Sequence, residues 1–202
     1  MKITVIKKQA RNPQRVSVFV DGKYSFSLSL DELVKYKVKK NDELSEAEVK
    51  KFKKLSADGK LRQRALEWLL TRPHSTRELK DYLYRKKVEP EHAQKLIEEF
   101  GDREYLDDRR YAKWLVDLRA RKGKSNRAIA AELFKKGVSR EIVDEVLEKS
   151  EGESDRLNAL VEKKSKLSRY ANKPLKLVKY LTSQGFDYQM VKESLAKHYK
   201  DF

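Results

Sequence analysis

One pattern recurs three times along this chain. The stretches STRELKDYLYRKKV (75–88), SNRAIAAELFKKGV (125–138) and NKPLKLVKYLTSQGF (172–186) align so that Leu79, Ile129 and Leu177 coincide. Leu83, Leu133 and Leu181 also coincide, as do Val88, Val138 and Phe186. Downstream, His92/Ala93 match Ile142/Val143 and Met190/Val191, and Ile97 matches Leu147 and Leu195. The spacings are 50 and 48 residues. A repeat of that length restricts the fold more than composition does, because each unit must be one small supersecondary structure packed on its neighbours. The apolar spacing inside each unit is helical. A further helix precedes each stretch, marked by Leu66, Leu69 and Leu70, by Tyr111, Ala112, Leu115 and Val116, and by Leu157, Leu160 and Val161. Each unit therefore reads as three short helices.

The predicted helix boundaries carry the expected chemistry. Ser75 with Glu78 has capping-box spacing. Pro90 falls in a first turn, where its missing N–H costs little. Gly137 and Gly185 follow middle helices, where a left-handed C-cap favours glycine. Ser139 and Asp187 then offer N-caps. We expect a β-rich extension with a short helix over 1–44, a lead-in helix and first unit over 45–101, a second unit over 102–150 and a third over 151–202. A unit of this size buries little surface alone. Trp68, Tyr82, Trp114 and Phe134 are the expected shared packing. The expected fold is mainly α: tandem three-helix repeats in an elongated, curved array, with a small antiparallel sheet at the N-terminus.

That sheet is read from a change of period. Ile3 and Val5, then Val16, Val18 and Val20, then Tyr24, Phe26, Leu28 and Leu30 alternate, the signal of half-buried strands. Asp21-Gly22 between the second and third runs favours a tight hairpin. A short helix is predicted near Asp31–Tyr36. A lysine-rich stretch from about residue 45 leads into the array.

The chain of 202 residues carries a formal charge of +16 and has no cysteine. Disulfides and thiolate metal sites are excluded, and a reducing compartment is the natural setting. The start lacks a signal-peptide apolar run and no stretch approaches a membrane span, so a cytoplasmic protein is expected, with no membrane partner. The charge divides as +7 over 1–60, +2 over 61–100, +3 over 101–150 and +4 over 151–202. No single tail holds it, and a polyanionic partner is implied.

The sharpest concentration lies where the second middle helix begins. Arg119, Arg121, Lys122, Lys124 and Arg127 fall within nine residues that contain no acid. Helix starts already carry the positive end of the dipole, so this arrangement is unfavourable for the fold alone, and a partner's phosphate or carboxylate would relieve it. The other units echo it. Arg72, His74 and Arg77 surround Ser75, and Lys163, Lys164, Lys166, Arg169 and Lys173 precede the third middle helix. The repetition suggests a track for an extended anionic partner; a solvated basic loop serving only solubility is the plainer reading.

Read in order, the motifs resemble the RecX regulatory protein family. RALEWLLTRPHSTRELKDYL matches an alanine–leucine helix followed by R-P-x-S-x-x-E-L, here Arg72, Pro73, Ser75, Glu78 and Leu79. YLDDRRYA supplies Tyr105, Leu106, Asp107, Asp108, Arg110 and Ala112. The pattern's glycine before that tyrosine is Glu104 here. Gly123, Lys124, Ile129, Glu132, Leu133, Lys136, Gly137 and Val138 match the basic motif that follows. The resemblance covers about 62–148 strongly and the third unit weakly, and the N-terminal extension is similar to that of longer members from low-GC Gram-positive bacteria. It implies a modulator of the RecA recombinase. Such a protein binds the RecA–DNA filament along its groove and inhibits ATP hydrolysis, strand exchange and co-protease activity, without catalysis or cofactor, as a monomer. Under it, Arg119, Arg121, Lys122, Lys124 and Arg127, then Arg72 and Arg77, then Lys163, Lys164, Lys166 and Arg169, would contact filament or DNA, the latter weakly. A direct, sequence-independent DNA-binding protein is the alternative.

Other candidates read as structural. Asp107 and Asp108 suit an N-cap and a first-turn acid, and Asp108 could pair with an arginine of a neighbouring unit. His74, His92 and His198 match no metal spacing. RKGKS at 121–125 lacks the upstream glycine and strand of a phosphate loop. Trp68, Trp114 and Phe134 are assigned to the core; Tyr84 is an exposed aromatic on which a base could stack.

Overall fold

Three strands open the chain in a meander, β1 (Ile3–Gln9), β2 (Asn12–Val20) and β3 (Lys23–Ser29), antiparallel and in the order β1-β2-β3. These features come from a computed structural model that describes residues 1–10, 12–150 and 152–199. Asp21 and Gly22 both take positive φ, +48° and +79°, the two-residue turn that matches strand twist. Val20 consequently pairs with Lys23, and Val16 and Val18 with Leu28 and Phe26. The period-two residues Ile3, Val16, Val18, Val20, Phe26 and Leu28 form one buried face. Val5 and Tyr24, assigned to the same alternation, are exposed; register shifts at Ile3/Val5 and Val18/Phe19 move both out of phase.

A short helix, α1 (Leu30–Lys35), follows, closed at its start by a reciprocal Ser29–Glu32 capping box. The long α2 (Glu46–Leu69) begins with Ser45 and Glu48 in the same arrangement. Val49 and Phe52 of α2 complete the sheet's core, with Phe52 stacked on Phe26 at 5.1 Å. The lysine-rich lead-in and the first helix of the array are thus one continuous helix. It ends at Leu69, leaving Leu70 66% exposed. The chain divides into two units, one running to Trp68 and the other starting at Leu69.

From Leu69 on, the helices come as expected from the period. They are α3 (Thr76–Arg85) and α4 (Pro90–Asp102), then α5 (Asp108–Ala120), α6 (Asn126–Lys135) and α7 (Arg140–Glu148), then α8 (Glu153–Ser165), α9 (Pro174–Ser183) and α10 (Tyr188–Ala196). Leu79, Ile129 and Leu177, and likewise Leu83, Leu133 and Leu181, have no exposed surface. The cores of α5–α7 and α8–α10 are built around these positions. Gly137 and Gly185 adopt the left-handed C-cap, at φ +78° and +98°. Pro90 sits in the first turn of α4, and Asp187 caps α10 through the Gln189 and Met190 N–H groups. Ser139 occupies the N-cap of α7 without a side-chain cap bond. Phe134 departs from expectation. It is 42% exposed rather than core, because it directly follows the buried Leu133 and turns to the outer face.

A candidate anion-binding groove

The middle helices meet end to end. At the start of α3, Ser75 Oγ accepts from Glu78 N at 3.1 Å and donates to the Lys136 carbonyl at the end of α6, at 2.8 Å. Thr76 N donates to Asp108 Oδ1 of α5 at 2.7 Å. The next junction repeats the plan. Ser125 N donates to the Gln184 carbonyl at the end of α9 (3.1 Å), Ser125 Oγ accepts from Ala128 N (3.1 Å), and Asn126 N donates to Glu153 Oε1 of α8 (2.8 Å). Each helix start therefore takes a carbonyl and a carboxylate from the following unit. The glycines permit this approach. A Cβ on Gly137 would lie 2.9 Å from Arg77 Cβ, and one on Gly185 would run into Ser125 Oγ.

This arrangement bears on one expectation: one N–H at the start of α6, that of Asn126, is already met from within the chain, by Glu153. Asp108, read as a first-turn acid that could also pair with an arginine, is in the first turn of α5 and accepts from the Thr76 N–H. Asp107 is the N-cap of α5, accepting from Arg109 and Arg110 N–H. Tyr105 is half-buried, Leu106 is buried, and Arg110 donates to the Tyr105 carbonyl at 3.1 Å. Glu104, at the position of the expected glycine, is held at φ +58°.

Two of the predicted arginines are tied into ion pairs. Arg119 grips Glu132 through both its Nε and Nη2, at 2.7 and 2.6 Å; this holds the Glu132 carboxyl below the usual range. Arg72 bonds Glu78 at 2.9 Å and lies 5.0 Å over the Trp114 ring. Glu78 also receives Lys136 Nζ at 2.8 Å and His74 Nδ1 at 3.1 Å. Burial would raise the Glu78 carboxyl, but Arg72 and Lys136 outweigh it and bring it down to about 2. The capping-box reading of Glu78 is thus half met: its N–H takes the Ser75 cap, while its carboxylate serves the junction.

The remaining cations gather differently. A groove of about 810 Å³ lies between the second and third units. Arg121 and Lys122 line it from the loop after α5, and Lys163 and Lys164 from α8. These four come from separate basic stretches of the sequence. Gly123, at φ +72°, brings the loop against α8, since a Cβ there would lie 2.9 Å from Leu160 Cδ2. Arg156 and Tyr180 also line the groove, with Lys164 Nζ 5.2 Å from the Tyr180 ring centre. Among the described residues the lining holds five cations and two acids, Asp117 and Asp155. Such a concavity concentrates positive potential and suits a phosphate or carboxylate ligand. Sequence reasoning missed Arg156 and Tyr180. Each lies inside a helix rather than in a charge run, and only the packing of α8 and α9 brings them to the loop.

Lys124 is half-buried and Arg127 exposed, and both lie outside the groove lining, as does exposed Arg77. Lys166 pairs with Glu162 at 2.8 Å, and Arg169 lies 5.6 Å over Tyr170. Among the described residues, no three His, Cys, Asp or Glu side chains come together to hold a metal, and no helix is long and apolar enough to cross a membrane.

Comparison with known proteins bears on this geometry. Residues 1–45 match the regulatory protein RecX N-terminal domain, 62–100 the first RecX three-helix domain and 107–147 the second. The regulatory protein RecX of Bacillus licheniformis is 32% identical over 201 residues, covering 96% of this chain and 76% of that one. That of Listeria welshimeri is 32% identical over 160 residues, 79% of this chain, and the match spans 60% of the Listeria protein's length. A crystal structure of regulatory protein RecX superimposes with a TM-score of 0.69 at 21% identity, over 95% of this chain and 97% of that one. RecX from Lactobacillus salivarius gives 0.60 at 22% identity, over 69% of this chain and 95% of that one. These two structures share the fold. The sequence matches, running through the sheet and the helical units alike, make this chain a member of the RecX family.

Proposed function

We propose that this protein is a regulator of the RecA recombinase, which binds the RecA–DNA filament along its groove and inhibits ATP hydrolysis, strand exchange and co-protease activity. The observation that carries the reading is the basic groove, set in a chain of the RecX family. Arg121, Lys122, Lys163 and Lys164 converge from two units on one concavity. Acidic side chains of a recombinase protomer, or phosphates of its DNA, are the ligands such a cluster recognises. Three tandem units allow contacts with more than one protomer, and linked weak contacts raise avidity steeply. The role needs neither catalysis nor cofactor, and it places the protein in the cytoplasm as a monomer.

The test is sedimentation of the protein with RecA filaments on single-stranded DNA. Replacing Arg121, Lys122, Lys163 and Lys164 together with alanine leaves helix content unchanged and weakens co-sedimentation at least tenfold. Undiminished binding by that variant refutes the groove as the contact. The formal charge of +16 favours one second reading, direct DNA binding without RecA. Tight binding to bare duplex at physiological salt would select it.

A further inference from the structure

The N-terminal unit buries a cation without a counter-ion. Arg15 of β2 reaches across β3 to α2 and is only 6% exposed. Its Nη2 donates to the Ser27 carbonyl at 3.0 Å and to Ser27 Oγ at 3.1 Å, both neutral. Its Nε is enclosed and has no partner. Among the described residues, no carboxylate pairs with Arg15. A guanidinium keeps its charge inside a protein, and a buried charge left unpaired is costly. A buried water would satisfy Nε but would leave the charge uncompensated.

The surroundings of Arg15 are built of donors. Ser56, Gly59, Lys60 and Gln63 fall at i, i+3, i+4 and i+7 along α2, and so share one face. Ser56 Oγ accepts from the Ser27 N–H at 2.9 Å and lies 3.1 Å from Ser27 Oγ. Gly59 makes room for the guanidinium, since a Cβ there would lie 2.7 Å from Arg15 Nη1. Lys60 Nζ donates to Tyr24 OH at 3.0 Å, and both side chains are exposed. Burial would raise the Tyr24 phenol, but hydrogen bonds with Lys60, Ser27 and Ser56 bring it down. The phenol oxygen therefore adjoins both serine hydroxyls. Two cations and three hydroxyls form one connected cluster, open at Tyr24 and Lys60 and closed at Arg15.

We propose that this cluster is a binding site for a free tetrahedral oxyanion such as inorganic phosphate, held by Lys60 and the hydroxyls of Tyr24, Ser27 and Ser56 and neutralising Arg15. Donors of both kinds, arriving from β2, β3 and α2, suit an acceptor with several oxygens better than a halide. The burial of Arg15, Ser27 and Ser56 favours a small free ion over a phosphoryl group carried on a larger body. The site lies wholly within the unit that runs to Trp68. It is separate from the groove and independent of the RecA reading.

Nuclear magnetic resonance of the Arg15 Nε–H, assigned by through-bond correlation in the full chain, tests it. Because the signal belongs to one residue, binding in the groove does not register. Inorganic phosphate, titrated at constant ionic strength, shifts the resonance saturably at millimolar concentrations. Lys60→Ala weakens that binding about tenfold and Tyr24→Phe about threefold, the losses expected for a charged and a neutral donor. Chloride gives no saturable shift, and phenyl phosphate binds far more weakly than phosphate. A resonance that phosphate leaves unmoved overturns the proposal. So does an equal response to chloride or phenyl phosphate, or an affinity unchanged by Lys60→Ala.

Discussion

Glu78 is the side chain on which the first junction depends. Its carboxylate receives Arg72, His74 and Lys136 at 2.9, 3.1 and 2.8 Å, and joins residues 58 apart in sequence. Replacing it with glutamine keeps size and hydrogen-bonding capacity but removes the charge. The carboxyl falls from 4.5 to about 2, a gross stabilisation of roughly 3 kcal/mol. Arg72 and Lys136 are 36% and 37% exposed, so solvent screening reduces the expected loss to about 2 kcal/mol. The sign of the pH dependence follows from the depressed value. The contribution is complete above the unfolded carboxyl's 4.5 and disappears as pH falls towards about 2. Urea unfolding of wild type and Glu78→Gln, followed by circular dichroism from pH 7 to pH 2, measures it. The stability difference should be about 2 kcal/mol at pH 7 and should close between pH 4.5 and pH 2. A difference below about 0.5 kcal/mol at pH 7, the level of an ordinary surface substitution, would refute the reasoning. So would one that persists unchanged at pH 2.

Four smaller substitutions, one with a conservative control, probe the same architecture. Glu104→Gly relieves a left-handed residue at φ +58° and should raise stability by about 0.5–1 kcal/mol in the same urea assay. Gly137→Ala meets both φ +78° and the Arg77 stem at 2.9 Å, and should cost about 2 kcal/mol; Gly101→Ala, with open space around its helical position, should gain about 0.5 kcal/mol. Asp107→Ala removes the acceptor for two N–H groups at the start of α5 and should lower stability by about 1 kcal/mol, with Asp107→Asn largely sparing it.

The fold was legible where periodicity alone decides burial. Leu79, Ile129 and Leu177 lie wholly inside because each falls on the apolar stripe of a short helix. Asp21-Gly22 specified its turn because left-handed backbone is required at both positions. Phe134 was misassigned to the core because hydrophobicity is a one-way guide, and a single ring can face water when its neighbour Leu133 already fills the inside. The basic stretches were visible as charge, but not their division of labour. Arg119 and Arg121 look alike in sequence; one is held by Glu132 and the other lines the groove. Glu153 capping Asn126, 27 residues upstream, leaves no local signal, since the partner is set by how one unit stacks on the next. The pairing of Arg121 and Lys122 with Lys163 and Lys164 depends on the same stacking, and Gly123 against Leu160 is the contact that permits it.

The proposed regulatory role is tested most directly by ATP hydrolysis. RecA is assembled on single-stranded DNA and this protein is titrated in below one molecule per protomer. The account predicts a progressive fall in hydrolysis at substoichiometric amounts, and a titration shifted at least tenfold when Arg121, Lys122, Lys163 and Lys164 are all alanine. Hydrolysis that stays constant up to one molecule per protomer would contradict it.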